Sequence, residues 1–150
     1  MIVLFADFDG VLNSNRHFLS LPPERAASEV EYDDRSFDKE AVERLNRIVE
    51  RTGCEVVVSS SWRHMYPLGK LCAILRRHGY RHRLLDVTID DPRGCRGDEI
   101  AEWLARHPVE RFAIVDDNSD MGPVYQHLVQ TSFDDGLLDE HVDHIVAMLT

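Results

Sequence analysis

The sequence predicts an α/β fold, a three-layer sandwich with a central parallel sheet, and three observations predict it. Apolar, strand-like runs alternate with amphipathic stretches of helical period. The runs are apolar at consecutive positions, so both faces of each strand are covered, as in parallel sheets buried between helices. Three runs end abruptly in polar residues: DFD at 7–9, SSS at 59–61 and VDD at 115–117. Right-handed crossovers leave parallel strands pointing one way, so these endings gather on one edge of the sheet. Ligands of such sheets bind at that edge.

Each element follows in order. IVLFADF (2–8) is a buried strand. Residues 14–37 keep no period and contain Pro22-Pro23 and the acidic EVEYDD, so they read as a surface excursion with room for one short helix. From Asp38, the residues Ala41, Val42, Leu45, Ile48 and Val49 form one helical stripe, with Asp38 as the cap and Gly53 as the stop. CEVVVSSS (54–61) is the second strand, and a helix runs from about Pro67 to His78 with Gly79 after it. RLLDVTI (83–89) is the third strand, and DDPRGCRG (90–97) is a loop by composition. DEIAEWLARH (98–107) is a helix stopped by Pro108, with Trp103 in the core. RFAIVDD (111–117) and HLVQTS (127–132) are the fourth and fifth strands, and a last helix carries Val142, Ile145, Val146 and Leu149 on one face.

The totals limit what such a chain does. Its 150 residues fit one domain, 1–150, and 43% of them are hydrophobic, enough for a core. A net charge of −10 gives no broad footprint for duplex nucleic acid or an anionic membrane. Three scattered cysteines, Cys54, Cys72 and Cys95, form no disulfide framework or zinc pattern, and fit a reducing, cytoplasmic compartment. No run approaches the roughly 20 apolar residues of a membrane span, and MIVLF meets Asp7 too early for a signal peptide.

The gathered edge brings Asp7, Asp9, Asp116 and Asp117 into one crevice. That many carboxylates repel unless a cation lies among them. Hard oxygen donors suit Mg²⁺, which takes six ligands at about 2.1 Å. A bound Mg²⁺ implies an anionic substrate, and phosphate is the usual one. Ser59 and Ser60, at the end of the second strand, are placed to receive it, and Arg96 in its glycine-flanked loop is the first choice for the balancing cation. Lys70 is the second choice.

DFDGVLN resembles the opening motif of the haloacid dehalogenase-like (HAD) phosphohydrolases. VVVSSSWR, RGDEIAEWL and FAIVDDNSD are similar to their second, third and fourth motifs, in the family's order. The combination most resembles the small HAD domains related to bacterial RNA-repair ("Swiss army knife") proteins. The resemblance implies a HAD-like Rossmannoid fold, and the 14–37 excursion is too short for a folded cap. It implies an Mg²⁺-dependent phosphomonoesterase with Asp7 as nucleophile and Asp9 as general acid and base. Asp7, the Asp9 carbonyl, Asp116 and Asp117 would hold the metal, and Ser59 and Arg96 would stabilise the transferring phosphoryl group. Gly10, Ser60 and Arg63 are candidate substrate contacts. The substrate would be a nucleotide or another phosphorylated small molecule, or a phosphorylated nucleic-acid end.

Rival readings accompany these. A receiver-like phosphoaspartate switch also uses Mg²⁺ and an acidic pocket, but carries its acceptor on a later strand and needs no Asp9. A non-catalytic phosphate-binding module would keep the residues without turnover. Trp62, Arg63, His64 and Tyr66 either read the substrate or pack. Asp120 either supports the metal's waters or caps a turn. The basic stretch Arg76–Arg83 falls at the far end of the sheet and reads as solvated surface, and so does the pair His141 and His144.

Overall fold

Each apolar run becomes a strand because its consecutive branched and aromatic residues can be buried on both sides at once. The computed structural model describes residues 1–22 and 37–150. Its strands are β1 (Ile2–Ala6), β2 (Glu55–Val58), β3 (Asp86–Val87), β4 (Arg111–Asp116) and β5 (Leu128–Gln130). They form one sheet in the order β3-β2-β1-β4-β5, with every neighbouring pair parallel. The helices are α1 (Asn15–Ser20), α2 (Lys39–Thr52), α3 (Leu68–Arg77), α4 (Arg96–Ala105) and α5 (Asp139–Leu149).

Side chains alternate across the sheet and sort the core into two halves. Leu4, Ala6, Val56, Val58, Ala113 and Val115 face the layer built by α2, α3 and α5. Val3, Phe5, Val57 and Ile114 face α4, through Ile100 and Trp103. Trp103 is core as expected, and its indole N–H is satisfied by Asp86 at 2.8 Å.

The caps of α2 are those the sequence implies. Asp38 accepts from the Glu40 N–H at 2.9 Å, and Gly53 closes the helix with φ of 68°. Other boundaries differ from expectation. The third strand shrinks from 83–89 to Asp86–Val87, which stands at the edge of the sheet and, among the described residues, pairs with β2 alone. The helix expected at 98–107 starts two residues earlier, at Arg96. Asp98 reaches back to the Cys95 N–H at 3.0 Å and closes that first turn. The excursion begins with α1, capped by Ser14, and residues 23–36 of it lie outside the described residues.

The early start of α4 has a steric condition. Gly97 lies against the backbone of Met121, and a Cβ there would fall 1.8 Å from the Met121 carbonyl oxygen. Only glycine lets the first turn of α4 approach the segment that follows β4. Gly97→Ala is expected to lower stability by roughly 1–3 kcal/mol through overpacking, as measured by urea denaturation. An unchanged midpoint would show that this close approach is not required.

Candidate active site at the carboxyl edge of the sheet

The register of the sheet builds the site. Ala6 is level with both Val58 and Val115, and Val58 is level with Val87. The ladder continues one residue further: Asp7 N–H donates to Val115 O at 3.0 Å, Ser59 N–H to Ala6 O at 3.1 Å, and Thr88 N–H to Val58 O at 3.0 Å. Thr88, Ser59, Asp7 and Asp116 therefore stand in one transverse row. Their side chains take the α4 face, since the residues before them face the other layer. β1 and β4 are the strands between which the order of connection reverses, and ligands of open parallel sheets bind at such a switch point. Asp7 and Asp116 flank it.

Arg96, the first residue of α4, reaches down onto this row. Its Nη1 lies 2.6 Å from Asp116 Oδ2 and 3.2 Å from Asp7 Oδ2. Burial alone would weaken its charge, but the two carboxylates outweigh that effect and raise its pKa. Asp116 is fully buried, and its other oxygen accepts from the Asn118 N–H at 2.9 Å. Asp117, half-buried, completes the group: Asp7, Asp116 and Asp117 each offer an oxygen, all within 4.8 Å of one another. Among the described residues, this is where metal-binding side chains come together. One arginine against three carboxylates leaves an excess of negative charge. Burial first, and then the Asp116 charge, push Asp7 up to about 8. The same two causes raise Asp117. A compact set of hard, under-neutralised oxygens fits a small divalent cation.

Asp9 does not share the strand register that places Asp7 in the row. β1 ends at Ala6, and Phe8 O accepts from the N–H groups of Val11 and Leu12, so Asp9 rides a turn. Its Oδ1 accepts from Asn13 Nδ2 at 2.8 Å and from Trp62 Nε1 at 3.1 Å. Its carboxylate is thus held apart from the three clustered ones. Gly10 makes this turn with φ of 78°, and a Cβ on it would meet the Asp117 carboxyl at 2.5 Å. Its N–H is taken by Asn13 Oδ1.

At the end of β2 the two serines divide. Ser60 turns inward and caps the 3₁₀ turn 61–64, accepting from the Trp62 N–H at 3.2 Å. Ser59 is fully buried, and its hydroxyl has no partner among the described residues. Trp62 is buried against Phe8 and Phe37, so packing and contact with Asp9 coincide in one side chain. Arg63 donates through Nη2 to Glu99 and through Nη1 to the Ser59 and Ser60 carbonyls, at 2.9 and 2.8 Å. It ties down the backbone of the loop that carries both serines. Asp120 is exposed, and its N–H donates to Asn118 Oδ1 at 2.9 Å.

Other clusters stay away. Arg81 pairs with Glu43 and Glu50, His82 with Glu50, and Arg83 with Glu55, at the opposite edge of the sheet. His141 Nδ1 accepts from the Leu138 N–H and so caps α5. No helix among the described residues is long and apolar enough to cross a membrane.

A five-stranded parallel sheet flanked by helices, with an acidic switch point and a basic helix start over it, is consistent with a HAD-like Rossmannoid fold. The chain belongs to the family described as the HAD domain in Swiss Army Knife RNA repair proteins, whose family model matches residues 3–142. No curated protein and no solved structure matches it.

The electrostatics have a sign that can be measured. Asp7 has an unperturbed value of 3.8 and a folded value of about 8 in the metal-free protein. The unfolded chain therefore loses its proton first as pH rises. The contribution of Asp7 to stability, read as wild type minus Asp7→Asn in metal-free urea titrations, is expected to decline between about pH 4 and pH 8. Excess Mg²⁺ is expected to flatten that decline and to raise the melting temperature, an increase that Asp116→Asn removes. A difference independent of pH would contradict the charge balance described above.

Proposed function

We propose that the protein is an Mg²⁺-dependent phosphomonoesterase acting through a phosphoaspartate on Asp7, on a nucleotide or a phosphorylated nucleic-acid end. The observation that carries this reading is the transverse row: Asp7, Ser59 and Asp116 at adjacent strand tips, with Arg96 over two of them. The unpartnered Ser59 hydroxyl supports it. A buried hydroxyl left unbonded costs about 1–3 kcal/mol, and a phosphate oxygen arriving beside Asp7 would satisfy it.

In this reading an Asp7 carboxylate oxygen attacks phosphorus in line, and the ester P–O bond breaks. Asp9 gives a proton to the departing oxygen. Trp62 and Asn13 bind its Oδ1 and leave Oδ2 for that transfer. Water, losing a proton to Asp9, then attacks the phosphoaspartate, frees phosphate and restores Asp7. Arg96 and Ser59 hold the equatorial oxygens as charge spreads over them. A divalent cation held by Asp7, the Asp9 carbonyl, Asp116 and Asp117 would neutralise charge on the phosphate.

The chemistry favours a polar, anionic, end-on substrate over a long duplex. The basic side chains Arg81, His82 and Arg83 are already paired with glutamates and offer no tract for a strand. The family description names RNA repair proteins, and a nucleic-acid terminus agrees with it.

The test is phosphate release with Mg²⁺ from nucleotides, sugar phosphates and 5′- or 3′-phosphorylated oligonucleotides. Asp7→Asn is expected to abolish turnover, and full activity in that variant would refute the mechanism. Asp9→Asn is expected to accumulate phosphoenzyme with activated esters; a long-lived phosphoaspartate in wild type would instead indicate a switch. Ser59→Ala is expected to keep or raise stability, because an unbonded hydroxyl is removed, while lowering kcat by about 10²-fold.

A further inference from the structure

The polar groups behind the crevice are arranged as a device of their own. Arg63 and Glu99 form an ion pair with side chains only 5% and 8% exposed. Arg63 belongs to the 3₁₀ turn after β2, and Glu99 lies one helical turn beyond Arg96 on α4. Through Nη1, Arg63 also binds both carbonyls of the Ser59-Ser60 loop. Through Oε1, Glu99 accepts from the Asp91 N–H at 3.3 Å, in the loop that leads into α4. One buried pair thus ties the segment carrying Ser59 to the segment carrying Arg96.

Burying two charges costs several kcal/mol per ion, and an apolar pair of similar volume serves stability equally well or better. Stability is therefore a poor account of why the pair sits here. A second observation marks the same place. Among the described residues, the buried side-chain polar atoms without a partner are Ser59 Oγ, Thr88 Oγ1 and Arg63 Nε. Ser59 and Thr88 stand at the β2 and β3 tips, Arg63 binds the Ser59 carbonyl, and the Arg63 Nε belongs to the pair itself. A buried polar network fixes geometry strictly, because a displaced member leaves others unbonded.

We propose that Arg63 and Glu99 are positioning residues, a latch that sets the distance between the Ser59 loop and Arg96 across the phosphate site. Its catalytic consequence rests on the phosphohydrolase reading; the latch itself rests on the geometry. Neither residue touches the reacting atoms. Their work is to keep hydroxyl and guanidinium on opposite sides of one phosphoryl group.

The test combines hydrogen exchange with kinetics on two variants. In Glu99→Gln, amide exchange over 59–66 and 91–99 is expected to rise by about 10-fold or more, with α5 unaffected. With an active ester, kcat is expected to fall by about 10–100-fold, since small misplacements of binding groups carry such penalties. The double variant Arg63→Met/Glu99→Leu separates packing from positioning. It is expected to recover the wild-type melting temperature while kcat stays low. Recovery of kcat along with stability would overturn the proposal, and so would unchanged exchange over 59–66 in Glu99→Gln. If wild type releases no phosphate but exchange responds as described, the latch stands and the phosphohydrolase reading fails.

Discussion

Three carboxylates with oxygens within 4.8 Å of one another, at a mostly buried sheet edge, repel each other strongly. That constraint organises the molecule. The strand register forces Asp7 and Asp116 side by side, and nothing in the sheet itself relieves them. Relief comes from outside the sheet, through Arg96 at the start of α4. The position of α4 is set in turn by Gly97, which admits the Met121 backbone, and by Ile100 and Trp103, which bury the rest of the helix on the sheet. One guanidinium is too little charge for the group. The remaining deficit is what a divalent cation, and then a phosphate, would use.

The two sides of the sheet have different duties. The face covered by α2, α3 and α5 is almost wholly apolar and carries most of the core. The face under α4 is apolar only in its lower rows. At its top it becomes polar in a single step, through Thr88, Ser59, Asp7 and Asp116. A strand permits this because successive side chains alternate. One residue past the last core position therefore points four different side chains toward the same helix.

The turn after β1 shows how a short segment serves several ends. Gly10 brings its backbone against Asp117, Asn13 closes the turn and binds Asp9, and Trp62 comes from the 3₁₀ turn after β2 to bind the same Asp9 oxygen while packing against Phe8 and Phe37. Asp9 is thereby kept apart from the acidic group, although only one residue separates it from Asp7. Two carboxylates so close in sequence have separate surroundings, which is a condition for giving them separate tasks.

Much of this was legible in the chain itself. Apolar runs that bury both faces imply parallel strands, and the endings DFD, SSS and VDD imply a polar edge, because alternation and crossover handedness are local rules. Asp38 and Gly53 were readable as caps for the same reason. Other features depended on pairs distant in sequence. Asp9 reads as one of four grouped carboxylates until the turn at Phe8 sets its side chain apart from the other three. Arg63 follows the phosphate serines and reads as a substrate contact, yet Glu99, 36 positions later, claims it. Glu99 carried one signal, its place one turn after Arg96, and that signal points to nothing without knowing what faces the helix. Short-range periodicity decides which residues share a face; only packing decides which charges meet across it.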